Sequence, residues 1–159
     1  MRFIVLVGKD NTGKTRTLKS VIEELVANGA IIENDPRFRR FGSYVSPASA
    51  FPVSANKEIT ILLRYKGKRI GITTYGDTEA SLCKKISLFE QSNCDRIIFG
   101  SHPGGSSYHY LVNLADHHQY QDFHAIFKIG CVGIQNHPNL AQLRNISDSH
   151  AKDEIIKLI

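Results

Sequence analysis

A three-layer α/β domain, with a mainly parallel sheet covered by helices on both faces, is the fold class that the sequence predicts. Three observations predict it. Short, dense apolar runs of strand length, such as residues 3–7 and 96–100, alternate with stretches whose apolar residues recur at helical spacing. Two glycine-rich loops, residues 8–15 and 101–107, each follow directly on such a run. The chain is 159 residues long, 42% hydrophobic and 22% charged, which suits one folded domain over 1–159 with a real core. Alternation of strand and helix in a chain of this size favours strands in parallel, joined by helical crossovers.

The elements follow in order. Phe3, Ile4, Val5, Leu6 and Val7 form an apolar run of buried-strand length. Although Met1 and Arg2 precede it as in a signal peptide, the run stops at five residues and enters a glycine loop, so it reads as the first strand. Leu18, Val21, Ile22, Leu25 and Val26 then share one helical face, which ends near Asn28 and Gly29. Residues 30–32 read as a short strand. Residues 33–58, with Pro36, Pro47, Pro52 and a small-residue run, read as a long loop of the functional or mobile kind. Residues 59–65 and 68–74 read as a hairpin turning at Lys66-Gly67. A helix from Thr78 buries Leu82, Ile86 and Phe89, and a strand over 96–100 leads to the second glycine loop. A helix over 108–117, with Leu111, Val112 and Ala115 inward, a strand over 123–132, and a last helix from Ser147 or Asp148 packing Ala151, Ile155, Leu158 and Ile159 complete the chain. Ligands of such sheets bind at the carboxyl ends of the strands, where residues 8–15, 73–77 and 101–107 are expected to meet.

The first glycine loop carries the chemistry. Gly8-Lys9-Asp10-Asn11-Thr12-Gly13-Lys14-Thr15 satisfies G-x-x-x-x-G-K-[ST] at every fixed position, between a strand and a helix. Gly8 and Gly13 permit backbone angles that turn successive N–H groups inward. The open helix N-terminus attracts negative charge. In this pattern Lys14 reaches the β- and γ-phosphates, the Thr15 hydroxyl coordinates Mg²⁺, and residues 8–15 with Arg16 form the nucleotide cradle. On this segment the chain resembles the P-loop NTPase superfamily, which implies a nucleoside triphosphate and Mg²⁺ as its ligands. The succession of P-loop, helix, long loop, hairpin and glycine turn also resembles small GTPases. Their D-x-x-G motif has Thr73-Thr74-Tyr75-Gly76 in its place here, and residues 127–137 contain no guanine-reading N-K-x-D. ATP is therefore the expected nucleotide, with GTP the alternative.

Hydrolysis also needs an acid for Mg²⁺ and a group that positions water. Asp77, just past the second hairpin strand, is the candidate acid; the alternative is that Asp77 or Thr78 caps the next helix. His102 is the candidate for sensing the γ-phosphate or positioning water, with Ser101 as a phosphate hydrogen-bond partner; a plain loop histidine is the alternative. Arg37, Arg39 and Arg40 suit an arginine that neutralises transition-state charge, or a solvated loop. His109, His117, His118 and His124 have no metal-ligand spacing and read as structural.

Composition limits the rest. A net charge of +5 and a pI near 9.2 permit nucleic-acid contact, but a phosphate-binding protein has its own reason to be basic, and no nucleic-acid module accompanies the charge. Cys83, Cys94 and Cys131 are odd in number and widely spaced, as expected of reduced thiols in the cytoplasm. No apolar stretch reaches the ~20 residues that span a bilayer. A protein partner or homodimer is open. The expected function is ATP binding with Mg²⁺-dependent hydrolysis. The alternatives are a small-molecule or nucleotide kinase with Arg37 to Arg40 in its lid, and a nucleotide-binding regulator without catalysis.

Overall fold

β1 (Arg2–Val7) runs through the interior of a sheet and is paired in parallel on both sides, by β6 (Arg96–Ser101) and β7 (Phe123–Phe127). Its composition requires that position. Phe3 to Val7 are at most 1% exposed, and a strand apolar on both faces is stable only between two covering layers. The structure, a computed structural model, describes residues 1–9, 12–48, 57–74, 78–104, 106–116, 122–128 and 139–159.

The remaining strands are β2 (Ile31–Ile32), β3 (Tyr44–Val45), β4 (Thr60–Tyr65) and β5 (Lys68–Thr73). The sheet order is β2-β4-β5-β6-β1-β7, with β3 alongside β4. The sheet is mixed, which corrects the expectation of a mainly parallel one. The reason is local. Lys66 and Gly67 both adopt positive φ (49° and 77°), the two-residue turn that folds β4 back antiparallel on β5. β2 then pairs antiparallel to β4, while β3 runs parallel to it.

Helices cover both faces. α1 (Lys14–Ala27) and α4 (Leu140–Leu158) lie on one, where Leu18, Val21, Ile22 and Leu25 meet Ala151 and Ile155 over Ile4, Leu6, Ile70, Ile72 and Ile98. α2 (Glu79–Gln91) and α3 (Ser106–Asp116) serve the other, where Leu82, Ile86 and Phe89 pack on Phe3, Val5, Ile97 and Phe99. Gly71 admits this packing, because a Cβ there would overlap the Phe89 ring. The α1 and α2 faces are those that the periodicity predicts. α4 begins at Leu140, seven residues before the expected start. Of the expected strand 123–132, residues 123–127 are strand and 129–138 lie outside the described residues.

The segment 33–48, read as loop, is built. Asp35 caps a 3₁₀ turn, Pro36–Arg40, by accepting from Arg37 N–H. Phe38 enters the core, stacked on Tyr44 (5.6 Å) and tilted against Phe89 (5.1 Å). The Asp35 carboxylate also accepts two-pronged from the Arg37 guanidinium and from Ser92 Oγ (2.9 Å). These bonds, the Arg37 contact foremost, hold its carboxyl down at about 2. Stability from Asp35 is thus fully present above pH 4 and is lost as pH falls towards 2, by about 2 kcal/mol. Asp35→Asn, which keeps a cap, is expected to remove that increment at pH 7 and to flatten the acid-unfolding profile below pH 4, as followed by urea titration across pH.

Candidate functional site

The parallel ladders decide which loops meet. Val7 is level with Ser101 on one side and with Phe127 on the other, so the chain leaves all three strands on one edge. The glycine loop is sewn to the neighbouring tip: Gly8 N–H donates to Ser101 O (3.0 Å), and Lys128 N–H donates to Val7 O (2.7 Å). His102, half-buried, follows Ser101 directly and so stands beside the first residue of the loop. The β5 tip arrives from one strand further away, since β6 lies between β5 and β1. It still reaches the same place, for a Cβ on Gly100 would lie 3.6 Å from Thr74 O and 3.8 Å from Lys14 Cβ. Of the expected convergence of residues 8–15, 73–77 and 101–107, Gly8, Lys14, Thr74 and Ser101 are brought together, while 10–11, 75–77 and 105 lie outside the described residues.

Within the loop, Gly13 is left-handed (φ 81°) and occupies the N-cap of α1, with no side chain capping the helix and no acidic residue in its first turn. A Cβ at Gly8 would lie 2.6 Å from Thr12 Oγ1, so glycine is required at both positions. Lys9 is exposed, and its carbonyl accepts from Thr12 Oγ1 (2.9 Å). Lys14 curls back so that Nζ donates to Gly8 O (2.6 Å) and Lys9 O (2.9 Å). Thr15 is half-buried on the first turn of α1. Asp10, Asn11 and Asp77 lie outside the described residues.

Arg16, expected to contact nucleotide, instead pairs with Asp148 of α4. The same carboxylate accepts from Lys128, whose side chain is 1% exposed, and Lys128 Nζ also donates to Thr17 Oγ1 (2.7 Å). This knot lies directly behind the loop, for a Cβ at Gly13 would be 3.0 Å from Lys128 Nζ and 3.2 Å from Asp148 Oδ1. Sequence reasoning missed it. Lys128 sits one residue past an apolar strand, and no spacing ties it to Asp148 or to Arg16.

Other expectations resolve differently. Thr73 Oγ1 hydrogen-bonds Thr60 Oγ1 (3.1 Å), and Thr74 Oγ1 accepts from Ile59 N–H (2.9 Å), so both hydroxyls brace the hairpin. Thr78, not Asp77, is the N-cap of α2, accepting from Ser81 N–H (3.4 Å). Arg37 is fixed by Asp35, Ser92 Oγ (2.8 Å) and Gln91 O (3.4 Å) near the starts of β5 and β6. That is the far end of the sheet, about 20 Å from the glycine loop by the rise of a six-residue strand. The segment that the kinase alternative takes as a lid forms a 3₁₀ turn there. His124 pairs with Asp122 (2.7 Å), whose carboxyl is held below the usual range by Arg2 first and by His124 second. No group of three or more metal-ligating side chains occurs among the described residues. Nor is any described helix long and apolar enough to cross a membrane. The Cys94 thiol is pushed up to about 12 by burial, which makes it inert; Cys83 is half-buried, and Cys131 lies outside the described residues.

No protein-family model, curated protein or solved structure matches the chain.

The knot has an asymmetry that mutation exposes. Asp148 serves two cations, whereas Lys128 shares its carboxylate with Arg16. Asp148→Ala withdraws the charge that neutralises a buried ammonium and is expected to cost about 3–5 kcal/mol. Lys128→Met leaves Asp148 paired to Arg16 and is expected to cost clearly less. Equal losses in urea unfolding would contradict this division of roles.

Proposed function

We propose that the chain binds a nucleoside triphosphate, ATP by preference, at the glycine loop and hydrolyses it with Mg²⁺. The supporting observation is the junction at Gly13. A left-handed glycine leads straight into a helix N-terminus that has neither a side-chain cap nor an acidic first turn, with Lys14 folded over the same loop. Uncapped N–H groups and the Lys14 ammonium in one turn suit a polyanion better than a neutral ligand. In the proposed complex Lys14 leaves the loop carbonyls for the β- and γ-phosphates, and Thr15 and Asp77 hold Mg²⁺. His102, at the tip next to the loop, orients the attacking water. Mg²⁺ would supply charge neutralisation across the β- and γ-oxygens; the chain supplies orientation and a fixed positive field.

Binding is tested by thermal shift with Mg-ATP and Mg-GTP. Saturating ligand at about 100 times Kd stabilises the fold by ~2.7 kcal/mol. Lys14→Ala is expected to keep its fold, since the side chain is only half-buried, and to lose that shift. An undiminished shift would remove the loop as the nucleotide site.

Turnover rests on Asp77. Because Thr78 already caps α2, Asp77→Asn is expected to leave the melting temperature unchanged and to lower kcat by about 10²-fold or more. Parent-like kcat in Asp77→Asn would exclude it as the essential acid and leave a nucleotide-binding regulator as the reading.

A further inference from the structure

Beyond the glycine loop, the described residues form an open groove of about 670 Å³ between the 3₁₀ turn and α2, lined by Pro36, Arg37, Arg40, Lys84, Leu88 and Gln91 among others. Its volume lies in the range of ligand sites. Three of those residues are cations, and no carboxylate lines it.

Both walls are rigid. Phe38 anchors the turn in the core against Phe89 of α2, and Asp35 ties the turn to Ser92 at the end of that helix. Walls held by such contacts need little reordering on binding, which lowers its cost. Arg37 is pre-oriented by its ion pair with Asp35. Arg40 and Lys84 are exposed, and neither has an anionic partner among the described residues; the Arg40 guanidinium rests 5.3 Å from the Phe41 ring centroid. Pro36 and Leu88 give the lining an apolar part.

We propose that this groove docks an acidic peptide segment of a partner protein, with its carboxylates on Arg40 and Lys84 and an apolar side chain on Leu88. The charge pattern selects this occupant. A second copy of a chain carrying +5 is repelled by the lining. A nucleic acid would also call for an aromatic ring to stack on, and the lining has none. The groove lies at the end of the sheet away from the glycine loop, so the two sites are separate.

The test uses a fluorescein-labelled hexapeptide of sequence Glu-Glu-Leu-Glu-Glu-Leu, with fluorescence anisotropy at low salt. The parent is expected to bind it saturably, and Arg40→Glu/Lys84→Glu to weaken binding at least about tenfold. A charge-matched control at exposed sites elsewhere, Lys57→Glu/Lys66→Glu, is expected to change affinity less than about threefold. Lys14→Ala is expected to bind the peptide like the parent, which separates this groove from the nucleotide site. All the altered side chains but Lys14 are exposed, and circular dichroism checks each fold. In the parent, amide shifts on titration are expected over residues 83–91. Absence of saturable binding overturns the proposal. So do equal losses in both double variants, loss in Lys14→Ala, or tighter binding of a thymidine hexanucleotide that is itself lost in Arg40→Glu/Lys84→Glu.

Discussion

Everything at the candidate site hangs on the two parallel ladders of β1. Backbone hydrogen bonds from β6 and β7 bring the ends of three strands level, and only then do Gly8, Ser101 and Lys128 stand side by side. A slip of one residue in either ladder would turn the apolar residues of β1 to the wrong layer, so the core itself enforces the register. The geometry of the glycine loop is thus maintained by residues such as Ile4, Val5 and Ile98, which never approach a ligand.

Positive charge is handled differently at the two ends of the sheet. At the far end three arginines have carboxylate partners, Arg64 and Arg69 on Glu33 and Arg37 on Asp35, while Arg40 and Lys84 have none among the described residues. Among the described residues no buried side-chain polar atom there or elsewhere lacks a partner. Near the glycine loop one carboxylate, Asp148, faces both Arg16 and Lys128, with Lys14 close by. Among the described residues cations thus outnumber carboxylates beside the α1 N-terminus, which carries no side-chain cap.

Local chemistry made much of this readable from residues alone. The apolar run 3–7, the turn at Lys66-Gly67, and the periodic faces of α1 and α2 each encode their element within a few neighbours. Gly13 declares its left-handed geometry by being glycine in that motif. What stayed hidden depends on distant partners. The place of β6 between β5 and β1 is a tertiary choice with no local signal. The burial of Phe38 needs Phe89, Tyr44 and the Asp35–Ser92 bond together, so a segment rich in arginine and proline looked like loop. Asp148 meets Arg16 across 132 residues, and nothing in its own surroundings marks it as more than a helix-surface acid.

Placing the first strand between β6 and β7 also sets an order of assembly. Arg2 is bonded to Asp122 across 120 residues and to Leu158 O across 156. Synthesis therefore delivers the most apolar segment of the chain long before either of its flanking strands exists. Loop closures of that length are slow, because their entropy must be spent before the contacts that repay it can form. Until β6 and β7 arrive, Phe3 to Val7 form an unpaired, uncharged strand of the kind that aggregates or is captured by chaperones. The first strand is thus the one that must wait for the second half of the chain before it can pair.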